Sequence, residues 1–236
     1  MATFLQLAQK LRQESTGVAG TGPTAVTGQV GQLARLVTWI ADAWEDVQNR
    51  HANWLWMRVP FTLNTVNADD TYAFGDCIDG LTAVAISRFS HWWLHDCSFP
   101  PRIYLQSSGV GTEGWLRYLP WDHFRRLYKI GAQNNGFPAH VTSDPQRNIV
   151  LGPKPNGIYV VSSDYQRGLQ VLAADGDIPD MPTDYHKLIV YRAMEKYGAH
   201  SLASEIFARA QLEGGRFMKS LELNQLPAFQ LAGPMA

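Results

Sequence analysis

The spacing of apolar residues predicts helices at both ends of the chain and strands between them. Near the start, a helix over about residues 3–14 would carry on one face Phe4, Leu7, Ala8 and Leu11. A second helix is predicted over about residues 30–54, where spacings of four and three alternate through Leu33, Val37, Ile40, Trp44, Val47, His51 and Trp54. Because such a stripe needs a partner helix to cover it, we expect a helical bundle rather than a free coiled coil.

After about Arg58 the pattern changes to the period of a β-strand. Val59, Phe61 and Leu63 alternate with polar residues. Further apolar runs, separated by turns rich in Pro, Gly and Asn, lie at residues 72–74, 81–89, 103–105, 141, 149–151 and 159–161. This pattern predicts an antiparallel sheet or a small barrel. One helix is expected to interrupt it near residues 120–130, with its core face formed by Phe124, Leu127 and Tyr128.

Helical periodicity returns after Pro182, a residue suited to the first turn of a helix. The apolar face of this helix is predicted to consist of Leu188, Ile189, Ala193 and Tyr197, and Gly198 is predicted to end it. A second closing helix is expected over about residues 202–221. Residues 223–236 contain Pro227, Gly233 and Pro234 and no periodicity, which predicts an extended tail.

The predicted fold class is therefore α+β. The N- and C-terminal helices would form a helical bundle, and an antiparallel β-rich domain, either a sheet or a barrel, would be inserted between them. The corresponding boundaries are 1–57 and 182–222 for the two halves of the bundle, 58–181 for the insertion and 223–236 for the extended C-terminal tail.

The composition favours a protein that covers much of its surface with partners. Charged residues make up 17% of the chain and hydrophobic residues 45%, including eight tryptophans, whereas a soluble domain carries about 25% charged residues. Aromatic enrichment is typical of interfaces, although a large aromatic core explains the same numbers. A net charge of −1 without a dense Lys/Arg run argues against tight nucleic-acid binding but is compatible with a passive DNA channel. No apolar run is long enough to predict a membrane span.

No motif in the sequence predicts a catalytic, cofactor or metal site. The glycine-rich segment at residues 17–24 has Pro23 where a phosphate-binding loop needs lysine. His91, His95 and Cys97 would share a face of a strand, but a fourth ligand at a recognisable spacing is missing. None of the serines has the G-x-S-x-G context of a hydrolase. We therefore expect no enzymatic activity, no cofactor and no bound metal.

Other polar groups have structural interpretations that we favour over ligand binding. An acidic series lacks the glycine and the terminal glutamate of a calcium loop and is better explained by caps and turns: Asp175, Asp177, Asp180 and Asp184. A lone polar residue in a helical stripe, such as His51, more often sets register or lies at the edge than acts as a switch.

Two surface features leave functional alternatives open. The basic pair Arg125–Arg126, with Lys129 nearby, would contact DNA or an acidic neighbour, or else form a solvated helix face, which we favour. The tryptophans at 92–93 and 115–121 would stack on a sugar, or else serve core or subunit contacts. The second interpretation is favoured because no convergent polar groups accompany them.

Several segments together resemble the head-to-tail adaptor (connector) proteins of tailed bacteriophages. The opening resembles theirs in FLQLAQKLRQE and in GTGPTAVTGQVGQLARLVTWIADAWEDVQNRHANWLWMR. Their central helix is similar to LRYLPWDHFRRLYKIG, and their closing helices to IPDMPTDYHKLIVYRAMEKYG and ARAQLEGGRFMKSLELNQLP. The likeness covers most of the chain and is weakest around residues 91–97. These segments are structural signatures rather than catalytic motifs.

The resemblance implies a structural protein of the virion neck, assembled in the host cytoplasm. Adaptors of this kind form a ring of twelve copies beneath the portal protein, extend the DNA channel and provide a platform for a tail or nozzle protein. Double-stranded DNA passes through without sequence-specific binding. No cofactor and no reaction are implied.

The resemblance also implies that the C-terminal tail contacts the portal. The residues expected to do so are Leu223, Leu226, Pro227, Phe229, Leu231 and Met235. The loop at residues 16–31 is a second interface candidate. Two other functions stay open at this point: a tail-completion or nozzle-type neck protein, and a carbohydrate-binding module.

Overall fold

The computed structural model describes residues 1–16, 22–95 and 99–227, and the chain divides into two compact units. The helical unit comprises Met1–Met57 and Leu169–Ala236, and the β unit comprises Arg58–Gly168. The described residues contain five α-helices: α1 (Phe4–Thr16), α2 (Gly31–Asn49), α3 (Trp121–Tyr128), α4 (His186–Ser201) and α5 (Ser204–Gln225). The α+β fold class is therefore confirmed. Residues 169–181, which the sequence pattern grouped with the insertion, group here with the helical unit.

The helical unit is organised around α4, which packs against α1, α2 and α5. One hydrophobic core is shared by these helices, and its completely buried members include Leu7, Leu11, Leu36, Ile40, Leu188, Ile189, Ala193, Met194, Ala210 and Leu221. A helix enclosed by three others must be apolar over much of its circumference. This explains why α4 buries Val190 and Met194 in addition to the single stripe that its sequence predicts.

The predicted stripe of α2 is only partly correct. The helix ends at Asn49, so His51 and Trp54 lie beyond it, and its buried positions include Leu36 and Ala43, whereas Leu33 and Val37 are only half-buried. The physical reason is that a straight α-helix has 3.6 residues per turn and drifts away from a strict seven-residue repeat. Trp54 still enters the core, where its indole Nε1 donates to the Gln48 carbonyl at 3.1 Å.

Gly198 does not end α4, contrary to the prediction. The helix continues to Ser201 and closes with Leu202 in the left-handed region, at φ 53°. The glycine instead permits the close approach of α4 and α5. A Cβ at position 198 would lie 2.9 Å from the Phe207 Cβ and 3.0 Å from the Phe207 Cα and backbone nitrogen.

The last helix extends beyond its predicted end and includes the first residues assigned to the tail. α5 runs to Gln225, so Leu223 is helical and does not belong to an extended segment. The backbone N–H of Leu226 donates to the Glu222 carbonyl at 3.0 Å, and the Leu226 side chain packs on the helical core. Residues 228–236 of the predicted tail lie outside the described residues.

The β unit contains ten strands in two sheets within its described residues. The strands are β1 (Arg58–Asn64), β2 (Thr71–Tyr72), β3 (Ile78–Asp79), β4 (His91–Trp93), β5 (Arg102–Leu105), β6 (Gly114–Trp115), β7 (Arg117–Tyr118), β8 (His140–Ser143), β9 (Ile149–Gly152) and β10 (Tyr159–Gln166). The larger sheet has the order β3-β1-β10-β5-β6, with β4 also paired to β10, and the smaller has the order β2-β9-β8-β7. Both are open, so the barrel alternative was wrong.

β10 is the central strand of the larger sheet. It pairs with the whole length of β1, in a register that runs from Arg58 opposite Gln166 to Asn64 opposite Val160. Its other side pairs with β5 and then with β4. All pairs in the two sheets are antiparallel except β7 with β8. As predicted, Val59, Phe61 and Leu63 of β1 point into the core in alternation.

Two apolar stretches of the β unit were expected to lie in the core, but parts of both are exposed. Leu81 and Val84 belong to an exposed turn instead of a strand, with 68% and 59% of their surface accessible. In α3, Phe124 is completely buried but Leu127 is 56% exposed. An eight-residue helix resting on a sheet buries one narrow stripe, so Phe124 occupies that stripe and Leu127 does not.

The contact at Gly198 yields a stability prediction. We expect Gly198→Ala to lower the free energy of unfolding by about 1–3 kcal/mol, because the new methyl group must push α5 away from α4. Gly215→Ala is the matched control: its Cβ would meet nothing within 4 Å. On helix propensity it should raise stability by about 0.5–1 kcal/mol. Chemical denaturation measures both, and a Gly198→Ala variant as stable as the parent would contradict the proposed close approach.

Candidate interaction surfaces

Of the six residues expected to contact the portal, three are among the described residues, and these three differ in exposure. Leu223 projects from the last turn of α5 and is 88% exposed, whereas Leu226 is half-buried on the helical core and Pro227 is exposed. Phe229, Leu231 and Met235 lie outside the described residues. Among the residues of this set that the structure describes, Leu223 is therefore the apolar side chain most available to a partner.

The second interface candidate, the loop at residues 16–31, is described at Thr16, which ends α1, and from Gly22 onward. There it is attached to the helical unit: the Gln9 side-chain amide donates to the Pro23 carbonyl at 3.0 Å, and the Val26 N–H donates to Asp175 Oδ1 at 2.6 Å. Val26 is buried, whereas Val30 at the start of α2 is 82% exposed.

The histidine cluster forms a shallow pocket of about 290 Å³, and it contains no metal-binding set in the described residues. His91 and His95 line it together with Ser90, Ser143 and Arg147. Burial lowers the pKa of His91, and the neighbouring His95 and Arg147 lower it further. Cys97 lies outside the described residues.

Two of the four aspartates considered as ligands accept hydrogen bonds from backbone N–H groups. Asp177 Oδ2 accepts hydrogen bonds from the N–H groups of Ala173 and Ala174 at 2.7 and 2.8 Å. These bonds hold the pKa of the Asp177 carboxyl below its ordinary value. Asp175 accepts the Val26 N–H described above. The interpretation as a turn residue is thus confirmed for Asp177, whereas Asp175 joins its segment to a residue 149 positions away in the sequence.

Of the eight tryptophans, Trp115 is the one that is largely exposed, at 61%. Trp92 is buried, and Trp93 is half-buried with the Arg58 guanidinium 4.6 Å from its ring centre. Trp121 is half-buried against Phe124. The tryptophans at 92–93 and 115–121 consequently do not present the set of open rings that a sugar-stacking platform needs.

The basic pair on α3 is exposed to solvent. Arg125 and Arg126 make no ion pair with any residue that the structure describes, and the Arg125 guanidinium lies 6.0 Å from the Trp121 ring centre. Lys129 is engaged otherwise: its Nζ lies 2.8 Å from Asp70 Oδ2. Burial of Asp70 opposes ionisation, but the hydrogen bonds from Lys129 and Thr71 outweigh it and lower the pKa of Asp70. The Lys129–Asp70 contact fixes the end of α3.

Among the exposed apolar side chains of the β unit, two groups lie at opposite ends of the larger sheet. One cluster, which we term the turn surface, lies beside β3 and consists of Ile78, Leu81 and Val84, which are 39%, 68% and 59% exposed. The other, the aromatic surface, lies beside β6 and consists of Phe99, Val110 and Trp115, which are 43%, 62% and 61% exposed. Large apolar side chains that are exposed in groups are typical of sites that contact other proteins.

The turn surface is held by a buried carboxylate. Asp79 Oδ1 accepts the N–H groups of Leu81 and Thr82 at 2.7 and 2.9 Å, while Oδ2 accepts the Tyr165 hydroxyl at 2.7 Å and the Arg167 guanidinium at 3.1 Å. Burial alone would raise the pKa of Asp79, but these four hydrogen bonds hold it well below its usual range. Burial and the adjacent Asp79 raise the pKa of Tyr165 to about 12.

The aromatic surface is built on the edge strand β6. The rings of Phe99 and Trp115 meet edge to face with 6.4 Å between their centres. The Arg102 guanidinium lies 5.1 Å from the Phe99 ring centre and 3.3 Å from Glu113 Oε1. Stacking and the ion pair hold Phe99 in place while leaving much of the ring accessible.

The sequence predicted part of these surfaces. Trp115 belonged to a group for which subunit contacts were one interpretation. Leu81 and Val84 were missed because apolar residues at a spacing of three were assigned to a buried run. The available signal was Asp79-Gly80, a turn-forming pair directly before them.

Exposed apolar clusters such as these two are typical of surfaces that contact other proteins. The family model described as SU10 adaptor protein matches residues 2–231. The chain therefore belongs to the SU10 adaptor protein family, which confirms the resemblance to phage head-to-tail adaptors. No curated protein matches the chain. Across the described residues, no helix combines the length and the apolar character that a membrane crossing requires.

The Asp79 geometry predicts how stability depends on pH. Because the folded-state pKa lies below the value of about 3.9 in an unfolded chain, Asp79 stabilises the fold fully above that value, and this contribution is lost as the pH falls further. Asp79→Asn should lower the free energy of unfolding at pH 7 by about 2–4 kcal/mol and reduce its pH dependence below roughly pH 5.

Denaturant titrations at pH 7, 5 and 3 test this. Asp122→Asn, an exposed carboxylate in the first turn of α3, is the control and should change stability by less than about 1 kcal/mol. Equal pH dependence of the parent and Asp79→Asn would show that Asp79 is not the group responsible.

Proposed function

We propose that this protein is the head-to-tail adaptor that joins the portal to a tail or nozzle protein as a ring of twelve copies. The observation that carries the proposal is the family match over residues 2–231, which spans both units. The family has a structural role in the phage, and both the ring and its place below the portal are inferences from that role. The proposed location is the virion neck, after assembly in the host cytoplasm.

The surfaces of the β unit support a protein that forms contacts on more than one side. The turn surface and the aromatic surface lie beside opposite edge strands of one sheet. A protein in a ring meets two neighbours, and an adaptor meets portal and tail proteins as well. Large exposed apolar groups are expected at such contacts, because their burial on assembly supplies the driving force.

In this proposal, double-stranded DNA passes through the ring without being held. A net charge of −1 for the chain and the pairing of Lys129 with Asp70 are compatible with such a channel. Strong phosphate binding requires several uncompensated cations, and it would retard a polymer that has to move.

Two other functions receive less support. A tail-completion or nozzle-type neck protein would share the family's surroundings but would bind tail components instead of portal. A carbohydrate-binding module would need exposed aromatic rings with convergent polar groups, whereas Trp92 is buried and Trp93 lies under Arg58.

Co-assembly with the portal protein tests the proposed function. We expect the purified full chain, mixed with purified portal, to sediment with it, and negative-stain images to show an added ring on one face. Tail-tube protein is the comparison partner. Binding to tail tube but not to portal would contradict the adaptor assignment and favour the tail-completion alternative.

Truncation tests the proposed contact of the C-terminal residues with the portal. Deletion of residues 228–236 should leave the helical core intact, because Leu226 and its packing are retained. We expect an unchanged unfolding midpoint and at least about tenfold weaker portal binding, as for the loss of a hot-spot segment.

Two leucine-to-serine substitutions on α5 test whether portal binding depends on the end of the helix next to the tail or on its surface elsewhere. Leu223→Ser removes an apolar group beside the tail, and Leu212→Ser removes one elsewhere on α5, with 88% and 58% of their surfaces exposed. Only Leu223→Ser is expected to weaken portal binding. Unchanged binding of the truncated chain would refute the role of the tail while leaving the adaptor assignment in place.

A further inference from the structure

The two apolar clusters of the β unit occupy different ends of the same sheet. The strand order β3-β1-β10-β5-β6 separates them by four strand-to-strand steps. At about 4.8 Å per step, this corresponds to roughly 19 Å across the sheet. They are therefore two distinct surfaces that cannot be buried by a single small partner group.

The clusters differ in shape. The turn surface is aliphatic and projects from the tight turn that Asp79 organises. The aromatic surface presents the flat rings of Phe99 and Trp115, and Val110 lies in the segment that joins β5 to β6. Aromatic side chains are enriched in the buried cores of protein interfaces.

One exposed charged residue lies near each cluster in the sequence, and the two residues have opposite signs. Asp76 is exposed next to the turn surface, and Arg117 is exposed next to the aromatic surface, two residues from Trp115. Leu116 between them is completely buried, and alternation along an extended chain places Trp115 and Arg117 on the other side. Neither Asp76 nor Arg117 forms an ion pair within residues 1–16, 22–95 and 99–227.

We propose that the turn surface of one copy docks on the aromatic surface of the next, so that copies of this chain contact one another head to tail. A ring with rotational symmetry requires two different and complementary surfaces on each subunit, whereas a single self-complementary surface gives a closed dimer. The partner of each cluster is thus a second copy, with Asp76 of one copy facing Arg117 of its neighbour. The inference rests on the proposed ring and assigns the surfaces that close it.

Pairwise cross-linking of two variants tests the direction of the contact. Leu81→Cys and Val110→Cys are prepared as full chains in a Cys97→Ser background; Cys77 is buried and stays. Each variant alone and an equal mixture are assembled with portal protein and treated with a short bismaleimide. We expect covalent dimers in the mixture and none with either variant alone.

The outcomes separate this inference from the proposed function. Dimers from one variant alone would indicate a self-complementary contact and overturn the head-to-tail assignment. Rings on the portal in images, but no dimers in the mixture, would overturn the assigned surfaces while the adaptor function stands. If neither portal binding nor rings form, the proposed function fails and the inference fails with it.

Charge reversal provides a second test that does not depend on chemical reactivity. Asp76→Arg and Arg117→Asp should each reduce the yield of rings on portal by about tenfold or more, because each places like charges opposite one another. The double variant should recover most of the parent's yield. Asp122→Arg, an exposed reversal on α3, is the control and should leave the yield unchanged.

Folding is checked by the unfolding midpoint of every variant. Two folded single variants that form rings as well as the parent would refute the contact between Asp76 and Arg117. Reduced yields without recovery in the double variant would refute their direct pairing. If a variant does not fold, the cross-linking result decides.

Discussion

The pairing of β1 with β10 is the contact on which both units depend. These are the first and last strands of the β unit, and their antiparallel register places Arg58 beside Gln166. The chain therefore enters and leaves the unit at neighbouring points, and the Arg58 guanidinium bonds to Asp164 at 2.7 Å at the same end. Because the ends of the insertion are held together, α1 and α2 from one side of the sequence can share a core with α4 and α5 from the other. Pairing within the sheet thereby offsets the entropic cost of bringing the two ends of so long a segment together.

Within each unit, one buried contact determines the position of an exposed feature. The close approach at Gly198 determines how α5 packs against α4, and therefore where the exposed Leu223 lies at the end of α5. In the β unit, Asp79 uses both carboxylate oxygens to hold the turn that presents Leu81 and Val84. A buried charge is retained only when it is paired and hydrogen-bonded, and Asp79 meets both conditions. A buried carboxylate thus holds exposed apolar side chains in place, which suits a protein that assembles with others.

Edge strands of an open sheet invite pairing with other chains unless they are protected. Here both ends of the larger sheet carry exposed apolar side chains, and the strands β3 and β6 are only two residues long. Short edges limit uncontrolled sheet extension, while the apolar groups allow specific docking of side chains. This combination agrees with membership of the SU10 adaptor protein family, since an adaptor interacts with other components of the virion.

The sequence by itself determined the fold class, the approximate positions of all five helices and the alternation of β1, because these follow from local periodicity and turn chemistry. Family membership could also be recognised from the order of its helical segments. Tertiary structure alone decided which stripe of α2 is buried, that Gly198 allows a close contact instead of ending a helix, and that Leu81, Val84 and Leu127 face solvent. Local patterns cannot distinguish these cases, because an apolar residue has the same spacing whether it meets the core or a partner. Only the packing of distant segments determines which of the two it meets.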